Sequence, residues 1–291
     1  MHPQERSTVM AKLRLMTHNQ WKCDKNQPAW EEKGFDCSPS VRVRGFIRVY
    51  QDTMPDIIGC QETSFIMADK MIRYAAEGGL RYALLWGRDT PIAYRPDKFE
   101  LVDSDFSLFP DEFPGHEGIF NNGQTKSWTL GVFRVKENGK LLIFVSTHLW
   151  WKSGNPASGS YQPYSDEARQ YQLNLVMEKV AEYRAKYNCP AIIVGDLNAN
   201  YNSLAVQHAL TNGYAHAHDI AAEYADETMG YHYCFPAGFQ TYYYDKPFPD
   251  AIDHILVTGA EDGFVRRFER FSPDYYFPLS DHSPAFVDVE I

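Results

Sequence analysis

The chain has 291 residues, of which 44% are hydrophobic and 15% aromatic, and this length is enough to bury a sizeable core in one large domain. Lys and Arg number 28 against 38 Asp and Glu, and the formal net charge of −10 disfavours a nucleic-acid binder that relies on a broad basic face. A locally basic cleft, or a metal ion that handles phosphate, remains open.

The five cysteines are odd in number and form no C-x-x-C pair, which disfavours a disulfide framework or a structural zinc site. Residues 1–11 lack the apolar segment of a signal peptide, and no apolar run approaches the length of a membrane span. A cytoplasmic protein is therefore the default expectation, although a secreted protein without its signal would look the same. We predict a flexible N-terminal extension over 1–11 and one domain over 12–291, because no linker or repeat interrupts the chain.

In chain order, the first predicted elements are a strand over 12–19, a loop over 20–39, a helix over 41–54, a strand over 56–60 and a helix over 64–77 capped by Ser64. The next are strands over 82–86, 92–94 and 99–108, a long polar loop over 109–127, a hairpin of strands 129–135 and 140–147, and a loop over 152–164. The last are a helix over 165–187 capped by Ser165, a strand over 191–194, a helix over 203–210, an irregular aromatic-rich stretch over 228–250, and strands over 252–258 and 285–291. Hairpins within this order predict an α+β protein in which two mixed sheets pack face to face with helices outside.

The strand at 191–194 runs directly into Gly195-Asp196-Leu197-Asn198. Side chains alternate along a strand, so Asp196 and Asn198 face the same way if the extended geometry persists. Gly195 lets the backbone turn or lets another group approach closely. Such a pair at the carboxyl end of a strand can hold a metal, a water or a phosphoryl oxygen. The alternative is that Asp196 caps the next helix, or that Asp-Leu-Asn is a turn.

Polar side chains occur at other strand ends too, at Asn19, Glu62, His148, Asp253 and Asp281-His282. Asp253 lies inside the predicted strand over 252–258, and a carboxylate buried there costs several kcal/mol without a partner, which a nearby histidine would supply.

The oxygen ligands of Glu62, Asp281 and Asn19 suit a hard cation such as Mg²⁺ better than zinc. The remaining members of the set can donate to phosphoryl oxygens and activate a water, and they are His148, His282, Asp196 and Asn198. Together these groups are what in-line hydrolysis of a phosphate ester needs.

Five segments resemble, in order, the motifs of the endonuclease/exonuclease/phosphatase superfamily. They are Gly59-Cys60-Gln61-Glu62, Ser146-Thr147-His148-Leu149, Gly195-Asp196-Leu197-Asn198, Ile252-Asp253-His254-Ile255 and Ser280-Asp281-His282-Ser283-Pro284. Asn19 in Met16-Thr17-His18-Asn19 matches the first motif of that family. The resemblance spans 12–291, and six motifs in order are a specific signal although each alone is weak.

The resemblance implies a four-layer αββα sandwich and phosphoester cleavage that depends on Mg²⁺ or Mn²⁺. It implies that Glu62 is the main metal ligand, with Asn19 and Asp281 nearby. It further implies that His282 pairs with Asp253, that Asp196 orients or deprotonates the attacking water, and that Asn198 and His148 donate to the transition state. The choice of general base between Asp196 and the His282–Asp253 pair stays open.

Rim residues are the least determined part of the site. Lys126 is interpreted either as a phosphate contact or as a solvated loop lysine, and the second reading is preferred. Trp150 and Trp151 either stack on a substrate or pack in the core and over a loop. The other histidines at 18, 232 and 254 have no matching role and are read as structural or rim residues.

The expected activity is hydrolysis of a phosphodiester in a small or lipid-linked substrate, ranked above duplex DNA because of the acidic balance. The alternatives are a nuclease or deadenylase-like exonuclease on single-stranded nucleic acid, and a non-catalytic binding member of the fold.

Overall fold

The computed structural model describes residues 10–22, 31–32, 34–224, 251–271, 273–276 and 278–291. The described strands are β1 (Lys12–Asn19), β2 (Ile57–Gln61), β3 (Ala83–Leu85), β4 (Ile92–Tyr94), β5 (Phe99–Leu108), β6 (Ser127–Val135), β7 (Leu141–His148), β8 (Ala191–Asp196), β9 (Ala215–His216), β10 (Glu223–Tyr224), β11 (Asp253–Thr258), β12 (Val265–Arg270) and β13 (Ala285–Glu290). The described helices are α1 (Pro39–Thr53), α2 (Phe65–Glu77), α3 (Ser165–Tyr187), α4 (Leu204–Thr211) and α5 (Ala217–Ile220).

The strands form two mixed sheets. The first has the order β10-β12-β13-β1-β2-β4-β3, and the second has the order β5-β6-β7-β8-β11-β9. β1 runs parallel to β2 and antiparallel to β13, while β7 runs parallel to β8 and β8 antiparallel to β11. The carboxyl ends of β1, β2, β7 and β8 therefore meet the amino ends of β11 and β13 at one edge of the molecule.

Three apolar interfaces separate four layers. The middle one lies between the sheets and includes Leu15, Ile57, Phe144, Val194 and Val287. The first outer interface joins α1 and α2 to the first sheet through Val43, Phe46, Met67, Ile58 and Phe286. The second joins α3 and α4 to the other sheet through Leu173, Val176, Val206, Ile193 and Val145. The αββα sandwich is thus confirmed, and the central strands read as unbroken apolar runs because both of their faces are covered.

Most predicted elements lie where the hydrophobic pattern placed them, and Ser64 does cap α2 by accepting from the Met67 N–H. The prediction that Ser165 caps α3 is wrong. Tyr164 holds the cap position in the left-handed region at φ 64°, and the buried Ser165 hydroxyl donates to the Gln162 carbonyl at 2.8 Å.

The sequence pattern missed β12. Its register against β13 shifts between Val265 and Arg267, and such a bulge breaks the alternation by which a strand is recognised.

Parts of three predictions lie outside the described residues: 1–9 of the N-terminal extension, 23–30 and 33 of the first loop, and the aromatic-rich stretch 228–250. Ala11, at the end of the predicted extension, is buried and exchanges two backbone hydrogen bonds with Ile291. Of the helices in the described ranges, none is long and apolar enough to cross a membrane.

Candidate active site

The polar residues predicted from the sequence meet at the edge where the strands of both sheets end. In the second sheet, His148, Asp196 and Asp253 stand side by side, because β7 pairs His148 with Asp196 and β11 pairs Asp253 with Asp196. In the first sheet, Asn19 is the last residue of β1 and Glu62 follows β2. The site is therefore built across the seam between the two sheets.

Asp196 lies at the centre of the contacts. Its Oδ2 accepts a hydrogen bond from Asn19 Nδ2 at 2.9 Å and lies 3.3 Å from His148 Nε2 and 3.8 Å from His282 Nε2. Burial favours the neutral form, but His148, His282 and Lys126 outweigh it and hold the pKa of Asp196 well below its usual value. Asp196 is thus a buried carboxylate that stays ionised and accepts hydrogen bonds from several directions.

His282 and Asp253 form a close pair that joins the two sheets. His282 Nδ1 lies 2.6 Å from Asp253 Oδ2, and Arg270 donates to the Asp253 carbonyl at 2.8 Å. Burial opposes a charge on His282, yet the carboxylates of Asp253, Asp281 and Asp196 together raise its pKa well above the usual value. At neutral pH the ring therefore carries a proton on Nε2, which faces Asp196.

After β8 the Asp-Leu-Asn segment forms a turn and does not stay extended. The extended geometry ends at Asp196, and Asn198 takes a left-handed conformation with φ 48°. Its N–H donates to Asp196 Oδ1 at 2.8 Å, and its side-chain amide donates to the Leu149 carbonyl at 3.1 Å. The segment is a turn held by Asp196, and the same turn fixes Asn198 beside the site.

Position 195 must be glycine, because the backbone of β7 approaches it closely. A Cβ there would lie 1.9 Å from the carbonyl oxygen of Thr147 on β7. Only glycine therefore lets β8 bring Asp196 level with His148.

Glu62 and Asp281 are carboxylates that interact electrostatically with each other and with the histidines of the site. Oδ1 of Asp281 is buried without a hydrogen bond and lies 3.9 Å from His282 Nε2, and Glu62 lines a cavity together with Lys126 and His148. Burial, opposed by His282 and reinforced by Glu62 and Asp196, raises the pKa of Asp281 to about 7. A hard divalent cation would fit this arrangement, because it would supply positive charge and takes oxygen ligands.

Asn19 could offer a metal ion only one lone pair of its side-chain oxygen. Its Nδ2 is used by Asp196, and its Oδ1 accepts from the Trp21 N–H at 2.9 Å, leaving one lone pair. Ligand atoms of Asp196, Asp253 and His282 also lie within 4.8 Å of one another. A cation among those three would have to displace the short His282–Asp253 hydrogen bond, so the Glu62–Asp281 side fits a metal better.

Lys126 is buried beside His148, and its interpretation as a solvated loop lysine is wrong. Only 5% of the residue is exposed, and its Nζ lies 2.5 Å from His148 Nε2. The loop is held by Asn121, whose side chain bonds to the backbone of Phe109, Thr125 and Lys126. The sequence analysis did not single out Asn121; the only signal was the Asn-Asn-Gly turn.

A cavity of about 340 Å³ opens from these groups and is lined by Lys22, Glu62, Asp89, Thr125, Lys126, His148 and Trp151. Lys22 and Asp89, which the sequence analysis also missed, form an ion pair of 2.8 Å in its wall. Trp151 is 51% exposed at the cavity, whereas Trp150 is 2% exposed and packs against Phe120. Trp150 therefore does not reach the rim. A larger cavity of about 620 Å³ lies at the opposite edge, near Leu141 and Ile291, and contains none of the residues above.

His18 and His254 lie away from the cavity. His18 is fully buried between Tyr50 and Tyr276, and burial, with Arg42, lowers its pKa to about 3. His254 faces His216 and the Ala199 carbonyl on the far side of β11. His232 lies outside the described residues.

Two packed sheets bring carboxylates, imidazoles and a lysine to their shared edge, and the comparisons with known proteins give this arrangement a family. The profile of the endonuclease/exonuclease/phosphatase family matches residues 19–282. The chain therefore belongs to this family, whose members are mostly hydrolases of phosphoesters.

Solved structures share the fold over nearly their whole length. A family member from Bacteroides thetaiotaomicron is 18% identical with a TM-score of 0.75, covering 97% of this chain and 99% of that one. A mannosyl-6-phosphatase from the same organism is 19% identical with a TM-score of 0.70, covering 96% and 99%. TDP2 from D. rerio, in complex with a single-strand DNA product, is 17% identical with a TM-score of 0.64, covering 96% and 98%. No curated protein matches the sequence.

Proposed function

We propose that residues 12–291 form one catalytic domain that hydrolyses a phosphoester by in-line attack of an activated water, with a divalent metal as cofactor. The observation that carries this proposal is the convergence of Asp196, His282, His148 and Lys126 with the carboxylates of Glu62 and Asp281. Glu62, Lys126 and His148 line the cavity, and Asp196 and His282 lie directly behind His148, so a proton acceptor, hydrogen-bond donors and metal ligands are neighbours there.

Glu62 and Asp281, with Asn19 nearby, would hold Mg²⁺ or Mn²⁺. When bound, such an ion neutralises the charge that develops on the phosphoryl oxygens. Asp253 holds the His282 ring by Nδ1, which leaves the Nε2–H directed into the site. Lys126 Nζ and His148 Nε2 lie 2.5 Å apart. A phosphoryl oxygen beside this pair would accept hydrogen bonds from both side chains. Asn198 completes the donor set from the turn after β8.

Asp196 is our choice of general base. It is ionised, because neighbouring positive groups depress its pKa, so it can accept a hydrogen bond from the attacking water, orient it, and take its proton as the bond to phosphorus forms. His282 has a raised pKa and is already protonated at neutral pH, so it is suited to donate a hydrogen bond rather than to accept a proton.

The cavity favours a small substrate. Its volume of about 340 Å³ admits a compact organic phosphate, and its rim offers one exposed indole, that of Trp151, for stacking. Asp89 in the wall and the overall charge of −10 disfavour a polyanionic duplex. We therefore rank a small or lipid-linked phosphodiester above duplex DNA. Because one solved structure of the same fold is a mannosyl-6-phosphatase, sugar monoesters are also candidate substrates.

Single-stranded nucleic acid is the main alternative substrate, because one relative of the same fold was solved with a single-strand DNA product. Trp151 would then stack on a base instead of on a small leaving group.

The decisive experiment is turnover of a panel of sugar monoesters, small diesters, phospholipids, oligoadenylate and plasmid DNA, with Mg²⁺, with Mn²⁺ and with a chelator. We expect small esters to be cleaved in a metal-dependent manner, and Glu62→Ala or His282→Ala to lower kcat by about a hundredfold or more. Glu77→Ala is the matched control, because Glu77 is an exposed partner of Arg44. Rapid cleavage of oligoadenylate with small esters untouched would reverse the substrate ranking. Unchanged activity in both site variants would overturn the catalytic assignment of Glu62 and His282, and a chain that cleaves no member of the panel would favour the non-catalytic binding protein.

A further inference from the structure

His18 has no part in the proposed chemistry, yet it lies in a continuous chain of buried hydrogen bonds that ends on His282. Its Nδ1 lies 2.7 Å from the Tyr50 hydroxyl, and its Nε2 lies 2.9 Å from the Tyr276 hydroxyl. The Tyr276 hydroxyl donates to the backbone carbonyl of His282 at 2.7 Å. His18, Tyr50 and Tyr276 are each 0% exposed, so no bulk water competes for these contacts.

The direction of every bond in this chain is determined. A carbonyl oxygen only accepts, so the single hydroxyl proton of Tyr276 is used on His282. The Tyr276 oxygen must then accept from His18 Nε2–H, whichever charge the ring carries. In the neutral ring Nδ1 accepts from Tyr50, whose own oxygen accepts from Gln20 Nε2 at 3.2 Å. His18 is therefore held as the Nε2–H tautomer.

A second contact fixes the other backbone group of His282. The Ser280 hydroxyl donates to the Asn19 carbonyl at 2.8 Å and accepts from the His282 N–H at 3.2 Å. Asn19 follows His18 at the end of β1. Both polar backbone groups of His282 are thus tied to the last two residues of one central strand.

We propose that His18 is a positioning residue for His282. Its imidazole fixes the Tyr276 hydroxyl, which fixes the main chain from which the His282 ring projects. Asp253 sets the rotation of that ring through Nδ1, and the chain from His18 sets its position relative to Asp196. A displacement of about 1 Å between reacting groups can lower a rate by about a hundredfold, so a buried anchor of this kind bears directly on turnover. The inference rests on the proposed function, in which His282 serves as a donor.

Three variants separate a positioning role from a purely structural one. Tyr276→Phe removes the hydroxyl that holds the His282 carbonyl. His18→Phe keeps a ring of similar shape and removes both hydrogen bonds. His18→Gln keeps an amide N–H for Tyr276 and an amide oxygen for Tyr50. Tyr82→Phe is the matched control, because the buried Tyr82 hydroxyl donates to the Pro55 carbonyl at 2.7 Å and takes no part in the chain, while its ring, which packs edge-on against Tyr50, is kept.

The assay is Mg²⁺-dependent hydrolysis of bis(4-nitrophenyl) phosphate, with kcat and KM measured separately and thermal unfolding recorded for each variant. We expect Tyr276→Phe and His18→Phe to lower kcat about tenfold with KM within about twofold, because one hydrogen bond that places a catalytic group is lost. His18→Gln restores most of kcat, and Tyr82→Phe keeps it while losing similar thermal stability. If Tyr276→Phe loses stability as Tyr82→Phe does but keeps the wild-type kcat, the positioning role is overturned.

NMR of the ¹⁵N-labelled imidazoles tests the chain without any substrate. The expected spectrum shows His18 protonated on Nε2 and not on Nδ1, and the opposite tautomer would overturn the inference. A wild-type chain that hydrolyses no member of the panel overturns the proposed function, and the positioning role of His18 in turnover with it. The NMR result then still shows whether the hydrogen-bond chain exists.

Discussion

The burial of His18 makes the stability of the fold depend on pH in a way that one substitution removes. The pKa of His18 is about 3 in the folded chain, because burial, aided by Arg42, opposes its protonation, and it returns to about 6.5 on unfolding. Between these values the unfolded state binds a proton that the folded state does not. The contribution of His18 to stability is therefore present above pH 6.5 and is lost as the pH falls toward 3.

The size of this effect follows from the two pKa values. Linkage gives a loss of about 2 kcal/mol in the free energy of unfolding between pH 7 and pH 5 from this residue alone. In His18→Gln the group cannot titrate, so that variant should lack this part of the pH dependence. Carboxylates and other histidines titrate in both proteins and cancel in the difference.

Urea unfolding at pH 7, 6 and 5 measures the effect, with wild type and His18→Gln compared at each pH. The difference in the free energy of unfolding between the two proteins should shrink by about 2 kcal/mol from pH 7 to pH 5. Parallel pH dependences for the two proteins would mean that His18 titrates normally. The reasoning from its burial would then be refuted.

Three further predictions concern the adjacent residues Trp150 and Trp151, the loop residue Asn121, and Gly195. Trp150→Ala should lower the free energy of unfolding by about 3–5 kcal/mol, because Trp150 is buried. Trp151→Ala should change that free energy by less than about 0.5 kcal/mol and should instead raise KM. Equal effects of the two substitutions in urea titrations and in kinetics would contradict the placement of the two tryptophans. Asn121→Ala should cost about 2 kcal/mol in urea unfolding and also lower kcat, because the loop then no longer holds Lys126 in place; a stability loss at unchanged kcat would show that the loop does not position this lysine. Gly195→Ala should prevent accumulation of folded protein, since its Cβ would overlap a backbone oxygen, and a native circular-dichroism spectrum would show that β8 can shift.

Much of the fold was readable because its central strands are covered on both faces. The apolar run Ala191–Val194 marks a strand whatever its orientation, and the polar residues that follow it mark the edge where ligands bind. The candidate site followed from the same logic, strengthened by six motifs in order, and the structure brings those residues to one edge.

The rest depended on contacts that no local pattern contains. Lys126 looks like any loop lysine until Asn121, five residues earlier, is seen to fold the loop back on itself. Trp150 and Trp151 are adjacent and chemically alike, and only the packing against Phe120 shows which of them is buried. Asp89 has no motif of its own and enters the site through its pairing with a lysine distant in sequence.

The seam between the sheets has a consequence for the proposed activity. Asn19 donates to Asp196 across it, and His282 reaches Asp253 across it, so neither sheet alone contains the complete candidate site. A chain with one sheet formed and the other undocked would have every residue of the site without their arrangement. Under the proposed function, turnover would therefore report completed assembly, and partly folded or proteolytically nicked forms that separate the sheets would be inactive instead of cleaving phosphoesters indiscriminately.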